Sequence, residues 1–498
     1  MTREAMVDLW RQRSGLVLAP VAALLVWNVA SGLAEPAHRL AAILAAVVVL
    51  WLTEAIPMAV TAFLGVAAAV VCGVAPAATA FAPFGDPLVF LFIGTFMLAR
   101  AILFHGLDRR FAYAILGLRV IRDHPARLLA AYAGVSCVVS MWISNTATTA
   151  MMFPIGLALL SVLQCHGGGV SPAYGAALLL SNAFAASIGG LATPVGTPPN
   201  LIGIGFIRRD LDAALPFFSW MALGLPIVVV LFVWAVATLV RSAPSGAAAP
   251  GAIAALLATE RATLGPWTRG QVNTVVAFGT TVVLWVAPGV LALALGEAHP
   301  AYRAMAAMLP ESVVALLGAG LLFVLPVDLA RHRFTLPWEE AVKIDWWIVF
   351  LYGGGIALGT LTFQTGLAEA LGRGLTSVLG VQSPLGLLCF ATALAALLSE
   401  TTSNTASANM IVPTVLAFAR SADIDPLLPA LGATMGASLG FMLPVSTPCN
   451  AIVYGSGRIP LRTMLRRGLT LDLMGIATIV GCLWLLGPLV LGRGDLAP

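Results

Sequence analysis

Ser144-Asn145-Thr146-Ala147 recurs as Ser403-Asn404-Thr405-Ala406, and the two copies agree beyond those four residues. Each has a serine four positions before it (Ser140, Ser399), a methionine seven after its own serine (Met151, Met410) and a proline ten after (Pro154, Pro413). A second pair follows in the same order: Pro194-Val195-Gly196-Thr197-Pro198-Pro199-Asn200, then Pro444-Val445-Ser446-Thr447-Pro448-Cys449-Asn450. One Ser-Asn-Thr in a membrane helix reads as a cap or an interhelical hydrogen bond, and one T-P-P-N as a kink. Both occurring twice, in order, read as an internal repeat whose polar, helix-breaking residues mark the binding site of a solute carrier.

Composition sets the medium. Charged residues are 10% of the 498-residue chain, against about 25% in an ordinary soluble domain, and hydrophobic residues are 60%. Such a chain belongs in a bilayer and has room for about ten or more spans of roughly 20 residues. The net charge of +4 comes from arginines that punctuate the apolar runs, so it points to topology and not to nucleic acid. Six cysteines stand singly with no C-x-x-C spacing, which argues against a disulfide framework or a cysteine metal centre. No GxxxxGK[ST] loop occurs and Lys343 is the sole lysine, so an ATP-driven pump would need another subunit.

Arg3, Arg11 and Arg13 precede an apolar run from Leu16 to Leu33, read as a first membrane helix, with a cleaved signal as the alternative. Spans follow at 38–56, 58–75 and 87–106, then an arginine-bearing interfacial piece at 107–124. Segments 126–143 and 147–164 meet at the first Ser-Asn-Thr and read as a re-entrant hairpin. Segment 172–208 is broken at 193–200, where prolines remove helix donors, and a span at 215–241 closes the first unit. The second unit repeats the plan: spans at 271–293, 311–326 and 345–364, an interfacial piece near 366–380, and a hairpin of 384–402 and 405–420. A helix at 426–457 broken at 444–449 and a last span at 468–491 complete it. The fold expected is an all-α polytopic membrane protein with two inverted repeats, about 11 transmembrane helices, two re-entrant hairpins and two broken helices. Threaded with the amino terminus in the cytoplasm and the carboxyl terminus outside, 19 of the 26 Lys and Arg residues fall inside, as the positive-inside rule asks.

A hairpin tip ends one helix and starts another, and the starting helix presents unpaired N–H groups carrying roughly half a positive charge. Ser, Asn and Thr cap such ends, and their side chains can turn toward a ligand. The tip becomes an anion receptor. Carbonyls freed at the Gly196 and Ser446 breaks, with the hydroxyls of Ser140, Ser144, Ser399 and Ser403, are hard oxygens that suit sodium.

The two Ser-Asn-Thr motifs, the T-P-P-N-like loops and Trp51-Leu52-Thr53-Glu54-Ala55-Ile56-Pro57 resemble the divalent anion/sodium symporter family, carriers of dicarboxylates, citrate and sulfate. The resemblance covers essentially the whole chain. It implies a homodimer in the plasma membrane in which a transport domain moves against a scaffold as an elevator. On that pattern, 1–125 and 271–382 are scaffold, 126–241 and 383–498 are transport parts, and 242–270 links the repeats. The resemblance implies one sodium site at Ser140, Ser144, Asn145 and Gly196. It implies another at Ser399, Thr402, Ser403, Asn404 and Ser446. Substrate is then expected at Asn145, Thr146, Pro198, Asn404, Thr405, Thr447 and Pro448. Ser446 and Cys449 depart from the first loop, which has Gly196 and Pro199 there.

Glu54 and Glu400 stand in apolar surroundings, and an intramembrane carboxylate is a functional candidate. Glu54, far from either tip in sequence, reads as a structural hydrogen-bonding residue, while Glu400 is open between structure and function. Gly436-Ala437-Ser438-Leu439-Gly440 matches the nucleophile elbow G-x-S-x-G. Inside what reads as a continuous apolar helix, with Gly432, it is expected to be a small-residue packing face. The leading function is sodium-coupled symport of a divalent anion, best matched by a C4 dicarboxylate such as succinate, malate or fumarate, with at least two sodium ions. A sodium-independent exchanger and a citrate or sulfate carrier remain open, and an intramembrane hydrolase is the distant alternative, because none of the six histidines lies in the motif-bearing segments.

Overall fold

The computed structural model describes residues 3–29, 32–122, 124–165, 171–242, 251–296, 298–379 and 383–491. Apart from a short antiparallel pair, Pro326–Asp328 with Arg333–Phe334, its regular elements are helices. Among the described residues nine helices are long and apolar enough to cross a membrane, ten if the bent pair Pro300–Met308 and Glu311–Val324 is one span. Asn145–Gln164 and Pro384–Thr401 among the nine are hairpin limbs, so seven of the eleven expected spans pass, and others fall short for physical reasons. The first helix, Arg3–Asn28, starts well before the anticipated Leu16 and carries charge in its early turns, and Met58–Val71 has only 14 residues. The outward faces are apolar: Val272, Val276, Val283 and Val290 of Arg269–Leu295 are exposed, as are Val229 and Val233 of Phe217–Ser242. Water penalises each such side chain by about 1.5–3 kcal/mol relative to burial, and hydrocarbon does not. The chain is an integral membrane protein.

The interior holds the first limbs of the two broken segments. Pro172–Gly190 is buried from Tyr174 to its end and packs against Pro125–Ser140, Asn145–Cys165 and Phe217–Ser242. Contact is so close that a Cβ on Gly189 would lie 2.1 Å from the Cys137 carbonyl oxygen, so only glycine fits there. In the second half Leu427–Gly436 is buried along its whole length and packs on Pro384–Thr401, with Gly432 and Gly436 against Leu388 and Thr392. The packing-face reading of those glycines holds. The continuous helix does not: it stops at Gly436, and the chain is non-helical from Ala437 to Thr447, a longer break than the anticipated 444–449. Within the break the Glu400 carboxylate accepts from the Met442 and Leu443 amides at 2.7 and 3.1 Å, which satisfies them outside a helical ladder.

The segment expected to link the repeats is more than a tether. Its residues 243–250 lie outside the described set, but Ala252–Thr263 is helical and buries Ile253 and Leu257. The last helix starts at Leu461, before the expected 468.

Contacts that join 126–241 and 383–498 to the remainder include hydrogen bonds from Ser403 to Met58 and from the Phe217 amide to Glu311, and those of three arginines. Arg208 donates to both carboxylate oxygens of Asp86 at 2.7 and 2.8 Å, and the Tyr352 hydroxyl donates to the same Asp86 at 3.3 Å. Arg209 donates to the Ile356 carbonyl at 2.8 Å, and the Arg420 guanidinium lies 4.9 Å from the centre of the Phe363 ring.

Candidate functional site

Each tip motif starts a helix. Asn145–Cys165 follows Pro125–Ser140 after a four-residue turn, and Asn404–Ser421 follows Pro384–Thr401 after two residues. Ser144 and Ser403 accept from the amides three residues on, Ala147 at 3.3 Å and Ala406 at 3.2 Å, as serine does at an N-cap. The T-P loops do the same further along: Pro198–Leu211 and Pro448–Tyr454 begin on the prolines, whose missing N–H costs nothing in a first turn. Thr447 caps its helix by accepting from the Asn450 amide at 3.1 Å.

The two halves repeat the same contacts. Ser140 donates to Asn145 Oδ1 at 2.7 Å, and Ser399 donates to Asn404 Oδ1 at 2.7 Å. Asn200 Nδ2 donates to the carbonyls of Gly190 and Thr193, both at 2.8 Å. Asn450 Nδ2 donates to those of Gly440 and Leu443, both at 2.9 Å. Each T-P loop is thus tied across its break by its own asparagine. The breaks in turn touch the tips: a Cβ on Gly190 would lie 2.5 Å from Asn145 Oδ1, and one on Gly440 would lie 3.3 Å from Asn404 Oδ1.

These parts meet around one cavity of about 860 Å³. Its wall carries Ser144, Asn145 and Thr146 from one tip, Ser403, Asn404 and Thr405 from the other, and Thr197, Pro198, Ser446, Thr447 and Pro448 from the two loops. All seven residues expected to hold substrate are on it. Of those expected to hold sodium, Ser140, Gly196, Ser399 and Thr402 are not. Ser140 and Ser399 sit one layer behind, each bonded to its tip asparagine, and Thr402 donates to the Leu398 carbonyl at 2.9 Å.

Sequence reasoning missed several wall residues. Glu54, read as a structural hydrogen-bonding residue, does accept from Arg11 at 2.9 Å but also lines the cavity, as do Met58, Asp345, Trp347 and Tyr454. Glu54 has φ 49°, the left-handed conformation that ends Glu35–Thr53 and turns the chain. Among the described residues the wall has no lysine, arginine or histidine, and its ionisable side chains include the carboxyl groups of Glu54 and Asp345. Asn200 and Asn450 were read only as parts of their motifs. Both present a buried side-chain carbonyl oxygen without a hydrogen-bond partner. Such orphaned acceptors are costly unless a ligand satisfies them.

Donors of this kind, neutral oxygens from amides, hydroxyls and backbone, fit a hard monovalent cation such as sodium better than a transition metal. Among the described residues there is no cluster of three or more His, Cys, Asp or Glu able to hold a metal.

Residues 8–491 match the family described as the sodium:sulfate symporter transmembrane region. The chain is 32% identical over 450 residues to the sodium-dependent dicarboxylate transporter SdcS of Staphylococcus saprophyticus, covering 89% of this chain and 84% of that one. It is 31% identical, with the same coverage, to SdcS of Staphylococcus aureus strain USA300. Among solved structures, the YdaH transporter of Alcanivorax borkumensis aligns with a TM-score of 0.53 at 14% identity, over 84% of this chain and 89% of that chain, a likeness of fold alone. With the motif-built cavity, the long apolar helices and a match across nearly its whole length, this chain belongs to the sodium:sulfate symporter family and is a membrane transporter, not an enzyme.

Proposed function

We propose that this protein is a sodium-coupled symporter of divalent anions, C4 dicarboxylates foremost, working as a homodimer by an elevator movement of 126–241 and 383–498 against the scaffold. The carrying observation is a cavity built from two tips and two T-P loops, with no cationic side chain on its described wall. Helices of 21, 14 and 18 residues begin there at Asn145, Pro198 and Asn404. The sequence suggested two such ends; this larger number strengthens the local field. Helix dipoles are still not net charge, and each end offers only about half a unit. A buried dianion needs compensation that these ends alone do not supply. Bound cations supply it, which makes anion affinity depend on sodium through linkage.

Sodium is assigned to the oxygens of Ser140, Ser144, Asn145 and Gly196 in one half. In the other it is assigned to those of Ser399, Thr402, Ser403, Asn404 and Ser446. When bound it would supply positive charge beside the anion; the chain's own part is to hold these oxygens in place through the Asn200 and Asn450 ties. Asn145, Thr146, Asn404, Thr405 and Thr447, with the backbone at Pro198 and Pro448, would then hold one carboxylate at each tip. The sodium-dependent dicarboxylate transporters to which the chain is 31–32% identical support this substrate class. The amino terminus is assigned to the cytoplasm and the carboxyl terminus to the outside. Purified protein in proteoliposomes, given labelled succinate with and without an inward sodium gradient, should accumulate it only with sodium. Equal uptake in choline would move the reading to an exchanger.

A further inference from the structure

The cavity is built by a repeat, but its two sides are not chemically alike. Pro448–Tyr454 packs on Asn145–Cys165 and Pro172–Gly190, and Pro198–Leu211 packs in the corresponding way on Asn404–Ser421 and Leu427–Gly436. On the first of these sides the Cys449 thiol stands among the hydroxyls of Thr146, Thr149 and Ser187. The motifs give the corresponding positions on the second. Five residues after each tip serine, Thr149 answers to Ala408; thirteen before each T-P asparagine, Ser187 answers to Ala437; one before it, Cys449 answers to Pro199. Two alanines and a proline thus replace two hydroxyls and a thiol. Ser187 and Cys449 line the cavity, whereas Ala437 and Pro199 do not.

Those hydroxyls are not used by the fold. A buried serine or threonine in a helix can return its O–H to a carbonyl three or four residues back, as Thr95, Thr281, Thr392 and Thr434 do here. Ser187 and Thr149 are 1% and 0% exposed, and neither hydroxyl makes a hydrogen bond among the described residues. The thiol beside them is only a weak donor and acceptor. Of the described buried hydroxyls left in this state, Ser187 alone stands on the cavity wall. Leaving such a group unmatched costs free energy that a ligand's own hydroxyl would recover.

We infer that this side of the cavity is a subsite for the hydroxyl group of a 2-hydroxydicarboxylate, which Ser187 bonds and which Thr149 and Cys449 surround with polar atoms. The inference rests on the dicarboxylate reading above and adds to it a substrate class and an orientation. Thr146, assigned there to one carboxylate, belongs to the same cluster, and a 2-hydroxyl lies on the carbon next to its carboxylate. The hydroxyl-bearing end therefore sits at the first tip and the unsubstituted end at the second. With both carboxylates fixed, a third contact on one side also separates mirror images: one enantiomer turns its hydroxyl to Ser187 and the other turns it away.

Calorimetric titration of the purified full-length protein in sodium, with succinate and with each enantiomer of malate, tests this. The wild type should bind one malate enantiomer roughly five- to tenfold more tightly than succinate, the size expected of one hydrogen bond to a buried hydroxyl, and the other enantiomer no better than succinate. That comparison needs no variant. Ser187→Ala should bring the favoured enantiomer to the level of succinate. A serine that only supported the fold would lower all three affinities together and leave their ratio alone. Equal affinity for succinate and both enantiomers in the wild type, or a preference that survives in Ser187→Ala, overturns the subsite and leaves dicarboxylate transport standing. Binding of sulfate with none of the three dicarboxylates overturns the function proposed above, and the subsite falls with it.

Discussion

If 126–241 moves against the scaffold, the Asp86–Arg208 link must break in every cycle, and Asp86→Asn is the change that isolates it. Asp86 is well shielded, with its side chain 17% exposed, while Arg208 is 35% exposed. Hydrogen bonds to charged groups contribute about 1.5–3 kcal/mol when sheltered; discounted for the solvent that reaches Arg208, the pair contributes about 1–2 kcal/mol. Asparagine keeps an oxygen to accept from the Leu88 amide, as Asp86 does at 2.8 Å, so the start of Pro87–Phe104 stays capped. The loss therefore falls on the arrangement shown, not on the fold, and a loss of 1–2 kcal/mol shifts a two-state population by about 5- to 30-fold. Spin labels at Val138, in 126–241, and Leu317, in 271–382, are both at exposed positions and report the separation directly. The variant should transfer population from the wild-type distance to a second one. Unchanged distance distributions in both Asp86→Asn and Asp86→Ala would refute the link as a restraint on movement, and a single rigid distance under all sodium and substrate conditions would refute the elevator itself.

Asn145→Ala and Asn404→Ala should each reduce uptake at least tenfold while the protein still purifies as a folded species, because each removes one half of a shared site; normal uptake and sodium dependence in either variant contradicts a joint site. Asn450→Ala should destabilise the second half by about 1–3 kcal/mol, since it strips hydrogen bonds from the Gly440 and Leu443 carbonyls and the Ser446 hydroxyl; thermal unfolding in detergent measures it, and an unshifted midpoint removes the tie from the argument. In competition at equal concentration, unlabelled succinate, malate and fumarate should inhibit labelled succinate uptake more than sulfate does; stronger inhibition by sulfate would replace the dicarboxylate assignment and leave the sodium argument intact.

What was legible in the sequence was encoded locally and written twice. Serine before a helix start and proline at its first turn are cap and N1 signals that need no partner, and the helices do begin at Asn145, Pro198, Asn404 and Pro448. What was illegible depends on groups distant in sequence. Ala437 to Leu443 reads as a mostly apolar run, so the sequence did not announce that the second break would open at Ala437 or that a carboxylate about 40 residues upstream would take the Met442 and Leu443 amides. Glu54 was set aside because sequence distance was taken for spatial distance, yet the left-handed turn at its own position brings it to the cavity wall. The repeat therefore conserves geometry more strictly than chemistry. Met141 with Thr193 and Glu400 with Leu443 meet the same spatial demand, the first through a hydroxyl on a backbone carbonyl and the second through a backbone amide on a carboxylate.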